Sequence, residues 1–268
     1  MNRSQPGAAA TQTESLKTSS LARYSICITN HNSRGTLRDS LDSVLNQIGA
    51  SFEVVLVDNC SDDGSDEILK EYQKKGAIRL ISRKCSRGQG RQIALMNSLG
   101  EYIVSHIDMD DIFRPVLLRL IEFYHAKCEG KVMVAISNLG DWSQNITIAP
   151  RDLLLKIGGW RDLQYAEDWD LWSRAAKLSR YAWTVFPVSD RHKNRNSRKG
   201  FLATLRYRLG RYRDEMRLGR EVFERGERIS LAQRVAKSLA RLSLPFYPSY
   251  RTDFNESFSS SDSAYFVS

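Results

Sequence analysis

The sequence has no uninterrupted apolar run of the ~18–20 residues needed to span a bilayer. Its N-terminus has no apolar core of the kind that directs secretion either. Closely spaced cysteines are missing too. The four present, Cys27, Cys60, Cys85 and Cys128, lie far apart and without metal-binding spacing, which reads as reduced thiols in a cytoplasmic protein. Charge, by contrast, is plentiful. The formal net charge is +9, and most of the excess falls after about residue 190, so a basic surface is expected on the last quarter of the chain. With 268 residues, 41% of them hydrophobic, the chain can hold one large domain or a domain plus an appendage, with a sizeable core.

One stretch organises the rest. Ile103-Val-Ser-His-Ile-Asp-Met-Asp-Asp111 is a β-like apolar run that ends in Asp108, Asp110 and Asp111, with no Lys or Arg among them. Carboxylates this close repel one another unless a cation sits between them. Mg²⁺ and Mn²⁺ favour oxygen ligands and commonly keep substrate phosphates in their shell. In open α/β sheets, ligands collect at the carboxyl ends of strands. The stretch therefore reads as a strand delivering a metal–phosphate site; the plainer reading is an acidic turn that caps a helix starting near Phe113–Pro115.

Around it, strand and helix patterns alternate. Strands are expected at 24–29, 52–57, 78–82 and 103–107, with helices at 37–48, 66–75 and 92–99 between them. The second strand is mostly apolar, as in a sheet covered on both faces. Ser86-Arg-Gly-Gln-Gly-Arg91 reads as a Gly-rich turn, and Gly100 as a C-cap. A helix at 117–125, strands at 132–137 and 145–148, helices at 152–157 and 167–178, and a last strand at 181–188 follow. Repeated βα units call for a largely parallel sheet with right-handed crossovers.

Five motifs, in this order, resemble the GT-A fold of family 2 glycosyltransferases over roughly residues 24–198. Ser25-Ile-Cys-Ile-Thr-Asn-His-Asn32 is similar to the opening strand and turn, although the family usually has Pro and Tyr where Thr29 and His31 stand. Val57-Asp-Asn-Cys-Ser-Asp-Asp-Gly-Ser65 resembles the nucleotide loop. Gly88-Gln-Gly-Arg-Gln92 with Gly100-Glu-Tyr-Ile103 is similar to the Gly–Ala–Arg–Asn helix and following strand. Asp108-Met-Asp-Asp111 resembles the DXD site. Gly158-Gly-Trp160 with Glu167-Asp-Trp-Asp-Leu171 and Arg174 resembles the acceptor-side Glu-Asp motif.

The resemblance implies an α/β GT-A domain at 23–200, a mostly parallel sheet flanked by helices. It implies donor contacts from Thr29, Asn32, Asp58, Arg91 and Asp108, with Arg91 at a helix start where anions are favoured. Mn²⁺ or Mg²⁺ would be held by Asp110, with His192 reaching back to it, and Asp111 would support the loop. Asp168 would be the catalytic base, kept ionised by its helix N-terminus. Trp160 and Glu167 would stand on the acceptor side, although Trp160 equally suits a core.

Beyond this domain, residues 201–250 carry apolar and Arg-rich helical stripes and form a basic amphipathic appendage suited to an anionic membrane surface, or to packing on the main domain. Residues 1–22 and 251–268 are expected to be a disordered leader and tail. The implied function is a metal-dependent, inverting transfer of sugar from a UDP- or GDP-linked donor to a hydroxyl of a glycan or lipid-linked acceptor, cytoplasmic, either free or peripheral at the membrane's inner face, with no nucleic acid expected. A sugar-phosphate nucleotidyltransferase would instead want a Gly-rich, basic loop after the first strand, where Thr29-Asn-His-Asn32 is polar and glycine-poor. A non-catalytic basic module binding nucleic acid or membrane is the third class.

Overall fold

The computed structural model describes residues 22–139, 141–194, 201–219, 231–247, 249–250 and 264–266. In chain order the elements are β1 (Tyr24–Asn30), α1 (Arg34–Leu45), β2 (Phe52–Asp58), α2 (Ser65–Lys74), β3 (Arg79–Ser82), α3 (Arg87–Met96), β4 (Tyr102–Asp108), β5 (Asp111–Phe113) and α4 (Leu117–Lys127). They continue with β6 (Val132–Asn138), β7 (Asp141–Pro150), α5 (Arg151–Lys156), α6 (Glu167–Lys177), β8 (Tyr181–Val185), β9 (Ser189–Arg191), α7 (Phe201–Arg217), α8 (Leu231–Ser243) and β10 (Ala264–Phe266).

Eight strands form one sheet in the order β10-β8-β6-β7-β4-β1-β2-β3, and β5 pairs separately with β9. The pairs β1–β2, β1–β4, β2–β3, β6–β8 and β8–β10 are parallel. Within this sheet, among the described residues, β7 alone runs against its neighbours, β4 and β6. The expected mostly parallel α/β sheet is what forms. Its two faces bury different residues of the same strands, because successive side chains point to opposite sides. One core joins Ile26, Ile28 and Val104 to Leu37 and Leu41 of α1 and to Leu120 and Tyr124 of α4. The other joins Cys27, Val55 and Ile103 to Ala94 and Leu95 of α3 and to Leu171 and Trp172 of α6. Cover on both faces explains why these strands read as nearly continuous apolar runs.

Three local expectations need correction. The helix expected from Gln92 begins at Arg87, where Ser86 closes a capping box with Gln89. Gly88 serves close approach within this helix rather than a turn: its N–H bonds Leu163 O at 2.9 Å, and a Cβ there would overlap the Arg161 carbonyl. Gly100 is not the C-cap, which is Asn97; it lies where a Cβ would crowd the backbone of β1, 2.7 Å from Ser25 N. In the tail expected to be disordered, Ala264–Phe266 adds a parallel edge strand to β8. Residues 1–21 of the expected leader lie outside the described residues.

At the other end of the chain, α7 and α8 pack on each other through Tyr212, Ala236 and Ala240. Among the described residues, no helix is long and apolar enough to cross a membrane.

Candidate active site

A cavity of about 1230 Å³ opens at the carboxyl ends of β1, β2 and β4, where Thr29, Asn30, Val57 and Asp108 line it. Asn32, Arg91, Asp110, Glu167 and Asp168 line the same cavity. The structure thus brings together donor, metal and base candidates that are up to 139 positions apart in the chain, from Thr29 to Asp168.

Three other candidates sit elsewhere. Asp58 is buried beside the cavity instead of lining it. It accepts bonds from Asn30 Nδ2 (2.7 Å), Ser61 N (2.8 Å) and Ser61 Oγ (2.6 Å), so its carboxylate braces the turn after β1 against the loop after β2. Trp160 is packed in the second core among Leu154 and Trp172; Trp142 and Trp169 are the indoles that line the cavity. His192 is buried and does not line the cavity. Its Nδ1 accepts the Asn194 N–H at 2.9 Å, and its Nε2 lies 2.9 Å from Asp39 Oδ2. Both ring nitrogens are engaged by these partners, while the His192 N–H bonds the Asp110 carbonyl at 3.1 Å.

For a metal, the donor chemistry that remains is oxygen. Among the described residues, no group of three or more His, Cys, Asp or Glu side chains is placed to hold an ion. Magnesium sites that also bind nucleotide phosphates commonly use only one or two carboxylates, and Asp110 at the cavity wall, with Asp108 partly exposed beside it, fits that sparse set. Asp111 is buried instead, 3.2 Å from Arg191 NH1, where it ties β5 to β9 as a loop support should.

The other wall is built from charges, of which Arg91 and Glu167 have little access to water while Arg87 is exposed. Arg87 and Arg91 stand one turn apart on α3 and share a face. Arg91 is buried and clamps three carboxylates: it pairs with Glu167, lies 2.8 Å from Asp168 Oδ1 and reaches to 3.8 Å from Asp108 Oδ1. Arg87 approaches Glu167 at 3.7 Å. Burial, with the Asp168 charge adding to it, pushes the Glu167 carboxyl up to about 7 against the two arginines. Burial also raises Asp168, but Arg91 and His106 outweigh it and hold this carboxyl well below the usual range. The neighbours thus separate in their proton affinity, and Asp168 stays ionised at neutral pH.

Two residues of this wall were missed in the sequence. The first is His106. Val104 pairs with Ile26 and Ile107 with Ile28, so β4 carries one extra residue, and His106 takes a left-handed φ of +64°. This β-bulge keeps Tyr102, Val104, Ile107 and Met109 in one core despite the change of parity. It also delivers the imidazole Nε2 to 2.6 Å from Asp168 Oδ1. A polar Ser-His pair inside an apolar strand, and that parity break, were the available signals.

The second is Asp214 of α7. Fully buried, it accepts the Gln164 and Tyr165 N–H groups at 2.8 and 2.9 Å through one carboxylate oxygen. Its other oxygen lies 3.0 Å from Arg217 NH1. Asp214 does not line the cavity, but Tyr207, Arg211 and Glu215 of the same helix do, so α7 is a wall of the site and not a detached appendage. An acid within an Arg-rich helix carried no sequence signal beyond its charge.

The sequence model described as Glycosyl transferase family 2 matches residues 25–177. A putative teichuronic acid biosynthesis glycosyltransferase, TuaG, of Bacillus subtilis is 31% identical over 87 residues, 28% of this chain and 34% of that protein. The poly(ribitol-phosphate) β-N-acetylglucosaminyltransferase TarS of Staphylococcus aureus is 27% identical over 104 residues, 37% of this chain and 18% of that protein. The matches therefore span about a third or less of these relatives' lengths. Among solved structures, a mannosyltransferase of Pyrobaculum calidifontis in complex with GDP-Man and Mn²⁺ is similar with a TM-score of 0.58 at 17% identity, over 83% of this chain and 72% of that one. Staphylococcus aureus TarS in complex with UDP-GlcNAc gives 0.55 at 19%, over 65% and 60%. Likeness at these identities concerns the fold, which is GT-A. By its sequence match and by this fold, the chain belongs to glycosyl transferase family 2.

Proposed function

We propose that the protein is a metal-dependent, inverting glycosyltransferase that moves a sugar from a UDP- or GDP-linked donor to a hydroxyl of a glycan or lipid-linked acceptor. The observation that carries this reading is the shared cavity. Asp108 and Asp110 at the end of β4 and Asp168 at the start of α6 all line it. Thr29 and Asn32 would contact the nucleoside, with Asp58 bracing their turn from behind. Asp108 would hold the ribose, and Asp110 would hold Mn²⁺ or Mg²⁺, whose charge would stabilise the leaving diphosphate. Asp168, ionised and one-fifth exposed at 21%, would take the acceptor proton as the new bond to the anomeric carbon forms. Arg91 acts here through the carboxylates, orienting Asp168 and neutralising Glu167, more than through direct contact with the donor.

The test is a panel of UDP- and GDP-sugars assayed for slow hydrolysis with Mn²⁺. One donor should turn over, and Asp168→Asn should lower kcat by about 10²–10⁴-fold, the usual contribution of a general base, with donor KM little changed. Full activity in that variant would remove Asp168 from the role. Turnover of nucleoside triphosphates in place of sugar nucleotides would point to nucleotidyl transfer.

An anionic membrane surface fits the C-terminal helices. Ala236 and Ala240 face α7, while Val235, Leu239 and Leu242 are exposed beside Arg234 and Arg241 on α8, and Phe246 is exposed just beyond it. Apolar and basic residues side by side are the pattern of an interfacial helix. Leu239→Ser with Leu242→Ser should reduce sedimentation with phosphatidylserine liposomes while leaving donor hydrolysis intact. Equal sedimentation of the variant and the parent protein would dispose of this surface role.

A further inference from the structure

We propose that His106 is the positioning residue for the acceptor-side base. This rests on the reading of Asp168 as that base. The imidazole is delivered by an extra residue in β4 and by a backbone conformation that side chains other than glycine seldom adopt. Unusual backbone of this kind persists where the surroundings over-determine it, and it clusters at functional sites.

The surroundings here fix the ring. Trp160 and Trp172 lie against it, with ring centroids 6.0 and 5.8 Å away. Ser105 Oγ meets Nδ1 at 3.2 Å, and Asp168 Oδ1 meets Nε2 at 2.6 Å. A carboxylate oxygen accepts, so the network assigns a ring proton to Nε2, and Nδ1 faces the Ser105 hydroxyl.

The Nε2–H therefore donates to Asp168 Oδ1, the same oxygen that accepts from Arg91 Nη1 at 2.8 Å. With two donors on Oδ1, the carboxylate cannot swing, and Oδ2 remains to accept the hydroxyl proton. A third position in the chain, set by a bulge in the strand that ends in Asp108, thereby aligns the base with the donor end of the same strand.

Two substitutions separate this role from packing. His106→Gln keeps an N–H at similar reach but loses the ring; His106→Phe keeps the ring but loses the N–H. Assayed by Mn²⁺-supported hydrolysis of the donor that the parent protein turns over, His106→Gln should retain kcat within about threefold. His106→Phe should lower it about 30-fold, with donor KM unchanged, as expected when an aligned base loses its geometry. The reverse order, or a His106→Phe kcat within twofold of the parent, overturns the proposal. Should His106→Phe fail to fold by circular dichroism, His106→Gly replaces it, since glycine accepts the +64° backbone, with the same expected loss and the same overturning result.

Adding His106→Phe, or His106→Gly, to Asp168→Asn should cost nothing further, because the residue acts through that carboxylate; an additive loss overturns the proposal. If Asp168→Asn itself is fully active, the base reading fails. If Asp168→Asn is inactive while the His106 variants match the parent, only the positioning role fails.

Discussion

The two walls of the cavity are held in different ways. On the side proposed for the nucleotide, Asn30, Asn32, Asp58 and Ser61 brace one another by hydrogen bonds between two adjacent loops, such as Asn32 N to Ser61 Oγ at 2.9 Å. On the side proposed for the acceptor, Arg91, His106, Glu167 and Asp168 come from three elements, α3, β4 and α6, and are joined largely by charge with little solvent. The first wall relies on many modest bonds, each worth about 0.5–1.5 kcal/mol net. The second relies on a few buried charges whose value depends on every partner being present. The nucleotide wall should therefore tolerate single changes, and the acceptor wall should not.

The largest expected effect follows from removing the shared cation. Arg91→Met should destabilise the fold by about 3–5 kcal/mol in urea unfolding, the cost of leaving a buried charge unpaired. A change under 1 kcal/mol would mean the acceptor wall is as forgiving as the other. Smaller is Asp58→Asn, which turns one acceptor into a donor facing other donors and should cost about 1–3 kcal/mol. A cost above that of Arg91→Met would reverse the comparison. The finest test uses pH. The folded Glu167 carboxyl binds its proton more tightly than the ordinary Glu value of 4.5, up to about 7. Its contribution to stability is thus fully present below 4.5 and is lost as pH rises toward 7. Glu167→Gln should flatten that part of the stability profile, measured by chemical unfolding at stepped pH. Parallel profiles would show that the group is ionised throughout.

The same contrast explains what could be read from the chain alone. Strands β1, β2 and β4 were legible because cover on both faces writes itself as apolar runs, and Thr29, Asn32, Asp108 and Asp110 were legible because each follows such a run directly. Glu167 and Asp168 stood out as acids at a helix start. What escaped depends on distant chain. Gly88 looked like a turn because its reason, the backbone at Arg161 and Leu163, lies more than 70 residues away. The contact of the His192 ring with Asp39 could not be read either, because Asp39 is on α1, more than 150 residues earlier. Trp160 suited pocket and core equally, and only packing against Leu154 and Trp172 decides between them. His106 was visible as a polar interruption, but its φ and its aim at Asp168 were not.

On the proposed reading, the carboxylate of Asp214 would bear on how a large acceptor is measured. By gripping the backbone at Gln164 and Tyr165, it welds the C-terminal helix pair to the rim of the cleft. Anything resting on the outer stripe of α8 would then sit at a set height from the reaction centre. The enzyme would choose among chemically identical hydroxyls by their distance from that resting surface, as a ruler does, with no need to recognise each sugar in turn.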